Sequence, residues 1–263
     1  MELGISGRYA LVCGASDGLG LGCARALVKN GVHVLVVARG AERLTAAVAQ
    51  LQREAHPGAR VDSLLADVTT EAGLRAVFDR AEPFDIVIAN AGGPPPGDFH
   101  DFGREAWLSA LEANMLAPIE MMKATLDGMA ARSFGRFINI TSIAVKAPIE
   151  NLPLSNGARS GLTGFVAGVA RESRYASANV TINNLLPGSF WTARTQSVIR
   201  SIATVRGVTV EQIERESTSA IPARRFGTPE EFGSVCAFLC SAHAAYITGQ
   251  NILVDGGAFP GTF

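Results

Sequence analysis

The feature that most constrains this chain is a regular exchange of short apolar runs for amphipathic stretches, with small residues at the handovers. ALVCG at 10–14 is an apolar run closed by Gly14. Over 18–30 the spacing of Leu19, Ala24, Leu27 and Val28 puts one apolar stripe on a helix. Gly31 ends that helix, and VHVLVVA at 32–38 is apolar nearly throughout, as a strand covered on both faces must be. The pattern recurs as a helix over 41–54, a strand at 61–65, a helix over 70–81 and a strand at 84–90. A long helix over 104–132, a strand at 135–141 and a helix over 155–175 follow. ANVTINNLLPG then carries a sixth strand, a helix spans 229–240, and the last strand is 251–255.

Seven strands alternating with helices predict an α/β fold. It is a single-domain Rossmann fold over 1–263, with a doubly wound seven-stranded parallel sheet and helices on both faces. Right-handed crossovers and a reversal of strand order put the ligand crevice at the carboxyl ends of the strands. No linker or change of composition divides the chain.

Composition narrows the class further. Of 263 residues, 48% are hydrophobic and 28 are glycines without a period, which excludes a disordered or fibrous chain. With 23 basic and 24 acidic residues the net charge is −1, so no unbalanced field draws the chain to nucleic acid or an anionic membrane. MELGISGRYALVCG lacks the basic start and unbroken apolar stretch of a signal peptide. No run nears the roughly 18 apolar residues of a membrane span, and the expectation is a cytoplasmic protein. Cys13, Cys23, Cys236 and Cys240 have no CxxC spacing and no matching histidines, so no metal site is expected and the thiols read as buried and reduced.

Gly14-Ala15-Ser16-Asp17-Gly18-Leu19-Gly20 joins the first strand to the first helix. Gly14 permits a tight turn, Gly18 lets backbone approach a diphosphate, and Gly20 lets helix and strand pack closely, while the amides of the helix start face phosphate charge. A carboxylate at the end of the second strand would select NAD(H), but Ala38 and Arg39 stand there. The guanidinium favours NADP(H) over NAD(H). Asp17 pulls the other way, and a merely solvent-facing Arg39 is the alternative. Asp67-Val68 after the third strand is placed to meet an adenine amino group, although Asp67 equally suits a helix cap. Asn90-Ala91-Gly92-Gly93 after the fourth strand leaves room for adenosine and ribose.

Together these segments resemble the short-chain dehydrogenase/reductase family, in the style of the 3-oxoacyl-(acyl carrier protein) reductases. The likeness rests on CGASDGLG at 13–20, DV at 67–68, ANAG at 89–92, Asn114 in EANMLAPIEMM and Ser142 in INITSIA. It continues in PGSFWT at 187–192, IPARRFGTPEEFG at 221–233 and YITGQNILVDGG at 246–257, and covers nearly all of 5–258. The resemblance implies a nicotinamide cofactor touched by Pro187, Gly188 and Thr192, and a catalytic Asn, Ser, Tyr and Lys. Asn114 and Ser142 match. Where the family pattern has YSASKAGL, however, this chain reads SNGARSGL at 155–162, which puts Ser155 at the tyrosine position and Arg159 at the lysine position. No tyrosine lies between Tyr9 and Tyr175.

The exchange is chemically severe. A phenol near pKa 10 can be tuned by a neighbouring cation, whereas a serine hydroxyl is a far weaker acid. A guanidinium can hydrogen-bond a ribose and supply charge but can hardly act as a neutral relay. Three readings stay open. In one, an NADP(H)-dependent oxidoreductase reduces a ketone or 3-oxoacyl group by a non-standard proton donor, with Lys146, Glu150 or water held by Ser155 as candidates. In another, a cofactor-binding eliminase or isomerase uses Ser142, Ser155 and Arg159 as oxyanion donors. The third is a catalytically silent nucleotide-binding subunit. The survival of Asn114 and Ser142 beside a full cofactor pocket favours the first.

Residues from about 190 to 216 are expected to form a substrate-covering lid. Phe190, Trp191, Ile199 and Ile202 would line an apolar pocket, unless the isoleucines pack within the lid itself. Arg194 and Arg200 leave room for an anionic substrate tail. The helices at 104–132 and 155–175 are the family's dimer-forming pair. Apolar Leu162, Phe165, Val166, Val169 and Ala170, more than one sheet face needs, and the small residues Gly161, Gly164, Ala167 and Gly168 on the latter suit a homodimer or homotetramer, helped by the apolar residues of 258–263.

Overall fold

The structure is a computed structural model that describes residues 2–80 and 82–262. In chain order the elements are β1 (Tyr9–Cys13), α1 (Gly18–Lys29), β2 (His33–Ala38), α2 (Ala41–Glu54), β3 (Val61–Leu65), α3 (Glu71–Phe78) and β4 (Ile86–Ala89). After them come α4 (Arg104–Leu111), α5 (Ala117–Ala131), β5 (Gly135–Ile140), α6 (Pro153–Val169), α7 (Ser173–Ala176) and β6 (Val180–Pro187). The chain closes with α8 (Ala193–Arg206), α9 (Val210–Ser219), α10 (Pro229–Cys240) and β7 (Asn251–Val254). The seven strands form one sheet in the order β3-β2-β1-β4-β5-β6-β7, parallel at every pairing. Its order reverses between β1 and β4, and the crevice outside those two strand ends is the switch point of a doubly wound sheet.

Residues of β1, β2, β4 and β5 are buried throughout except His33, because helices cover both faces. On one face Val12, Val34, Val36 and Ile88 pack against Leu27 of α1 and Phe232 of α10. On the other, Leu11, Leu35, Val87 and Phe137 meet Met122 of α5 and Leu162 and Val166 of α6. Alternating strand residues thus feed two separate cores, as the unbroken apolar runs require. The four cysteines are free and buried.

Several expected boundaries move. The helix predicted over 104–132 is continuous in path but contains a π-helical turn at Glu112–Leu116. Pro118 has no N–H to donate four residues back, and the Ala117 N–H bonds to Glu112 O instead. The helix predicted over 155–175 starts earlier, with Pro153 at its first position, where a missing N–H costs nothing. It ends at Val169, where N–H groups of Arg171 and Glu172 bond three residues back and tighten the turn before α7. The helix expected over 70–81 runs Glu71–Phe78, and its predicted end at Ala81 lies outside the described residues. So does Phe263.

Helix α1 touches α10 backbone to backbone. A Cβ at Gly22 would lie 2.2 Å from the Pro229 carbonyl oxygen, and one at Gly233 would lie 2.1 Å from that of Gly22. Neither obstacle is a flexible side chain, so the helices themselves would have to part. Gly22→Ala is therefore expected to cost about 3 kcal/mol in urea unfolding. A cost below about 0.5 kcal/mol, the range of an uncrowded surface change, would show that the crossing is looser than these distances.

Candidate active site

Two clefts sharing Gly14, Asn90, Ala91, Gly92 and Gly93 open at the carboxyl ends of the strands. The first, about 610 Å³, is walled by Ser16, Ala38, Arg39, Asp67, Val68 and Asn114. The second, about 410 Å³, is walled by Asp17, Gly18, Leu19, Ser142, Ser155, Arg159, Pro187, Gly188 and Thr192. The residues singled out for the cofactor and at the family's catalytic positions thus border one continuous crevice, except Gly20, which is buried beneath it.

The glycines explain how α1 enters this crevice. Gly14 and Gly18 have φ of +58° and +55°, a left-handed backbone that side chains disfavour. A Cβ at Gly20 would lie 2.3 Å from the Gly14 carbonyl oxygen, so only glycine lets α1 begin so close to β1. Asp17 caps the helix, its Oδ1 accepting from the Gly18 N–H at 2.7 Å. That carboxylate is committed to the helix start.

Arg39 is 71% exposed in its side chain and stands 3.5 Å from Asp67 Oδ2. Asp67 Oδ1 accepts from the N–H and hydroxyl of Thr69 at 3.0 and 2.7 Å. Burial opposes ionisation of Asp67, but the Thr69 and Arg39 hydrogen bonds win and its pKa lies below the usual carboxylate value. Asp67 is not the cap of α3: Thr70 is, accepting from Gly73 N–H at 3.1 Å.

On the chemical side, Ser142 caps a short 3-10 turn after β5, its Oγ accepting from Ala144 N–H at 3.1 Å. Its O–H remains free to donate. Ser155 and Arg159 lie one turn apart on α6, both buried. Arg159 Nη1 donates to Ile140 O at 2.9 Å and to Thr141 O, which fastens the side chain against the end of β5. Its Nε is buried without a partner. Burial first, and then the charge of Arg194, push its pKa down to about 10. The guanidinium is therefore still cationic at neutral pH. The destabilisation from burying it is constant below about pH 10 and is relieved only as pH rises through that value towards its free-chain pKa.

Asn114 sits in the π-helical turn, Nδ2 donating to Ala110 O at 3.3 Å. Together with Asn139 and Arg159 it lines a small, mostly apolar cavity of about 10 Å³ beneath the crevice. Asn139 escaped sequence reading. Its Nδ2 donates to Asn184 Oδ1 at 3.1 Å, and Asn184 in turn donates to Asn251, a buried amide ladder across β5, β6 and β7. The available signal was polar residues within otherwise apolar strands.

Other candidates fall outside the crevice. Lys146 and Glu150 do not line it: the Lys146 Nζ lies over the Phe259 ring at 5.8 Å, and Glu150 is exposed. Ile199 packs with Ala203 and Ile213 inside the α8–α9 pair, Trp191 stacks on Phe226, and neither lines the cleft. Ile202 is 38% exposed, and Arg200 also points away. Phe190 does line the cleft, held edge-on by Phe232 at 5.2 Å.

The family model described as enoyl-(acyl carrier protein) reductase matches residues 14–258. The chain belongs to the short-chain dehydrogenase/reductase family. It is 32% identical over 261 residues to the 3-oxoacyl-[acyl-carrier-protein] reductase FabG of Vibrio harveyi, with 98% of this chain and 99% of that protein covered. Among solved structures it is similar to L-sorbose reductase from Gluconobacter frateurii complexed with NADPH and L-sorbose. That match has a TM-score of 0.93 and 29% identity, and covers 100% of both chains. It is also similar to YwfH, an NADPH dependent reductase involved in bacilysin biosynthesis, with a TM-score of 0.90, 27% identity, and 98% and 100% of the two chains covered. The short-chain dehydrogenases/reductases are NAD(P)-dependent oxidoreductases. Among the described residues no helix is long and apolar enough to cross a membrane, and no cluster of side chains could hold a metal ion.

Arg159 is a buried cation held by carbonyls and no carboxylate, so the folded protein carries its desolvation penalty. Arg159→Met, similar in length and uncharged, is expected to gain about 1 kcal/mol in urea unfolding without cofactor. An equal or larger loss would mean that the guanidinium ties β5 to α6 structurally.

Proposed function

We propose that this chain is an NADP(H)-dependent reductase of a ketone or 3-oxoacyl group, in which Ser155 and Arg159 take the places of the family's tyrosine and lysine. The observation that carries this reading is the setting of Arg159. It is buried, charged at neutral pH and fastened to β5, in the same wall as Ser142, Ser155 and the glycine turn.

The crevice suits a dinucleotide. Gly14, Gly18 and the first-turn amides of α1 leave room and donors for a diphosphate, and Val68 and Ala91 flank the space for adenine and ribose. Arg39, mostly exposed and only loosely paired with Asp67, is the donor for a 2′-phosphate. The NADPH complex of the similar L-sorbose reductase and the NADPH dependence of YwfH support the same preference. Pro187, Gly188 and Thr192 border the nicotinamide end, and NADP(H) bound there would supply a hydride.

The chain's own residues then have three tasks. Ser142, whose lone pair is engaged by Ala144, donates its O–H to the substrate carbonyl. Arg159 lends positive charge to the oxygen as negative charge develops on it, a contribution magnified in a partly dry cleft. Ser155 orders the water that delivers the proton, because its own hydroxyl is too weak an acid to give one up unaided. Helices α8 and α9 serve as the substrate lid, and α4–α5 with α6 as the surface for a homodimer or homotetramer.

NADPH is expected to bind with micromolar affinity and more tightly than NADH in a fluorescence titration, and Arg39→Ala should abolish that preference. Ser142→Ala is expected to lower kcat about 100-fold while leaving NADPH affinity unchanged. If neither nucleotide binds, the reductase reading fails. If both bind but no carbonyl compound is reduced by deuteride transfer, the catalytic assignments fail instead.

A further inference from the structure

A second arginine reaches into the same cleft. Arg194, in the first turn of α8, places Nη1 2.9 Å from where a Cβ on Gly93 would stand, and Arg159 Nη2 comes within 3.6 Å of that point. Two guanidiniums, one from α6 and one from α8, thus stand beside one glycine, and all three residues line the cleft.

The arrangement is electrostatically unfavourable for the protein alone. Arg194 lowers the pKa of Arg159 by direct repulsion. It also sits at the positive end of the α8 dipole, where no acidic residue occupies the first turn. Among the described residues neither arginine forms an ion pair. Arg194 Nη2 has only a long contact of 3.5 Å to Pro94 O, and Arg159 Nε is buried and unpartnered. Asp17, the acidic residue in the cleft wall, is engaged with the Gly18 amide. Unpaired like charges converging on an open space call for an anion.

We infer that the substrate is a carbonyl compound bearing a carboxylate, an oxo acid, whose carboxylate is held by Arg194 and Arg159. The inference rests on the reductase reading and names its substrate class. Ser142, Ser155 and both arginines line one cleft, so a single small molecule can present its carbonyl to Ser142 and its carboxylate to the arginines. Arg194 acts on specificity: being exposed at the lid, it selects the charged substrate without touching the reacting carbonyl. The diphosphate of the cofactor is the competing anion, and the glycine turn and first-turn amides of α1 already provide donors for it without either arginine.

The test uses the protein saturated with NADP+ and two probes of like shape, 2-oxohexanoate and its methyl ester. Calorimetry is expected to show the acid binding at least tenfold more tightly than the ester. Arg194→Gln should cut that difference at least threefold and leave ester binding and NADPH affinity within twofold of wild type. The proposal is overturned if wild type does not distinguish acid from ester. It is equally overturned if Arg194→Gln weakens NADPH binding rather than the acid, which would assign the arginine to the diphosphate. Selective binding of the acid without NADPH oxidation would uphold the anion site and sink the reductase reading, so the two failures are separable.

Discussion

Helix α1 can begin against the end of β1 only because Gly20 presents no side chain to the Gly14 carbonyl. Everything at the crevice depends on that approach. It aims the first-turn amides of α1 at the switch point between β1 and β4, and fixes the height at which Asn90 passes the turn, with Nδ2 3.3 Å from the Cys13 carbonyl. The same helix then presents Gly22 to α10, whose own Gly233 returns the contact. Backbone-to-backbone packing therefore runs from the end of β1 through α1 to its neighbour α10 on the same face of the sheet. Side chains could fill such a space only by moving the helices, which would widen the cradle for a diphosphate.

Against that tightly packed half stands a half governed by charge. The β5–α6 side accepts the desolvation of Arg159 in return for a fixed cation in the cleft, and it meets only part of that group's hydrogen-bonding capacity. Arg136 shows the contrasting structural solution. It is also fully buried, but its guanidinium donates to Ser241 O, Asn179 O and Asn179 Oδ1. One buried arginine is saturated by backbone and amide acceptors. The other keeps Nε unpartnered and Nη2 directed toward Gly93. The difference between a structural cation and one poised for a ligand lies in that unspent capacity.

The sheet was legible because its signal is redundant. Strands covered on both faces read as unbroken apolar runs, and β2 and the helix at 229–240 emerge at or within a residue of their predicted bounds. The glycine turn was legible for a similar reason, since left-handed φ at Gly14 and Gly18 and the close approach at Gly20 each demand the same residue. What stayed hidden depends on pairing across distance. The Arg39–Asp67 contact, the loss of Ile199 into the core between α8 and α9, and the capping of α3 by Thr70 rather than Asp67 are each decided by a few ångströms of loop path. Periodicity carries no record of that. The π-helical turn at Glu112–Leu116 was foreshadowed only by Pro118, and a proline alone does not say which carbonyl the preceding amide will choose.

The proposed exchange of a phenol for a hydroxyl at Ser155 and of an ammonium for a guanidinium at Arg159 would also reshape what the cleft can bind. A tyrosine–lysine pair moves a proton, and its lysine must be able to share charge with the phenol. Arg159 cannot give up its proton near neutrality, since even after burial its pKa stays at about 10. Its charge is permanent, and permanence suits binding an anion better than relaying a proton. With Arg194 beside it the cleft gains a fixed positive region. A substrate carrying its own negative charge would neutralise the repulsion between the two arginines on arrival, so part of its binding energy comes from strain already present in the free protein. In this view the altered pair and the lid arginine are one adaptation, and loss of the phenol is tolerable because the substrate is held by its charge rather than by the proton donor.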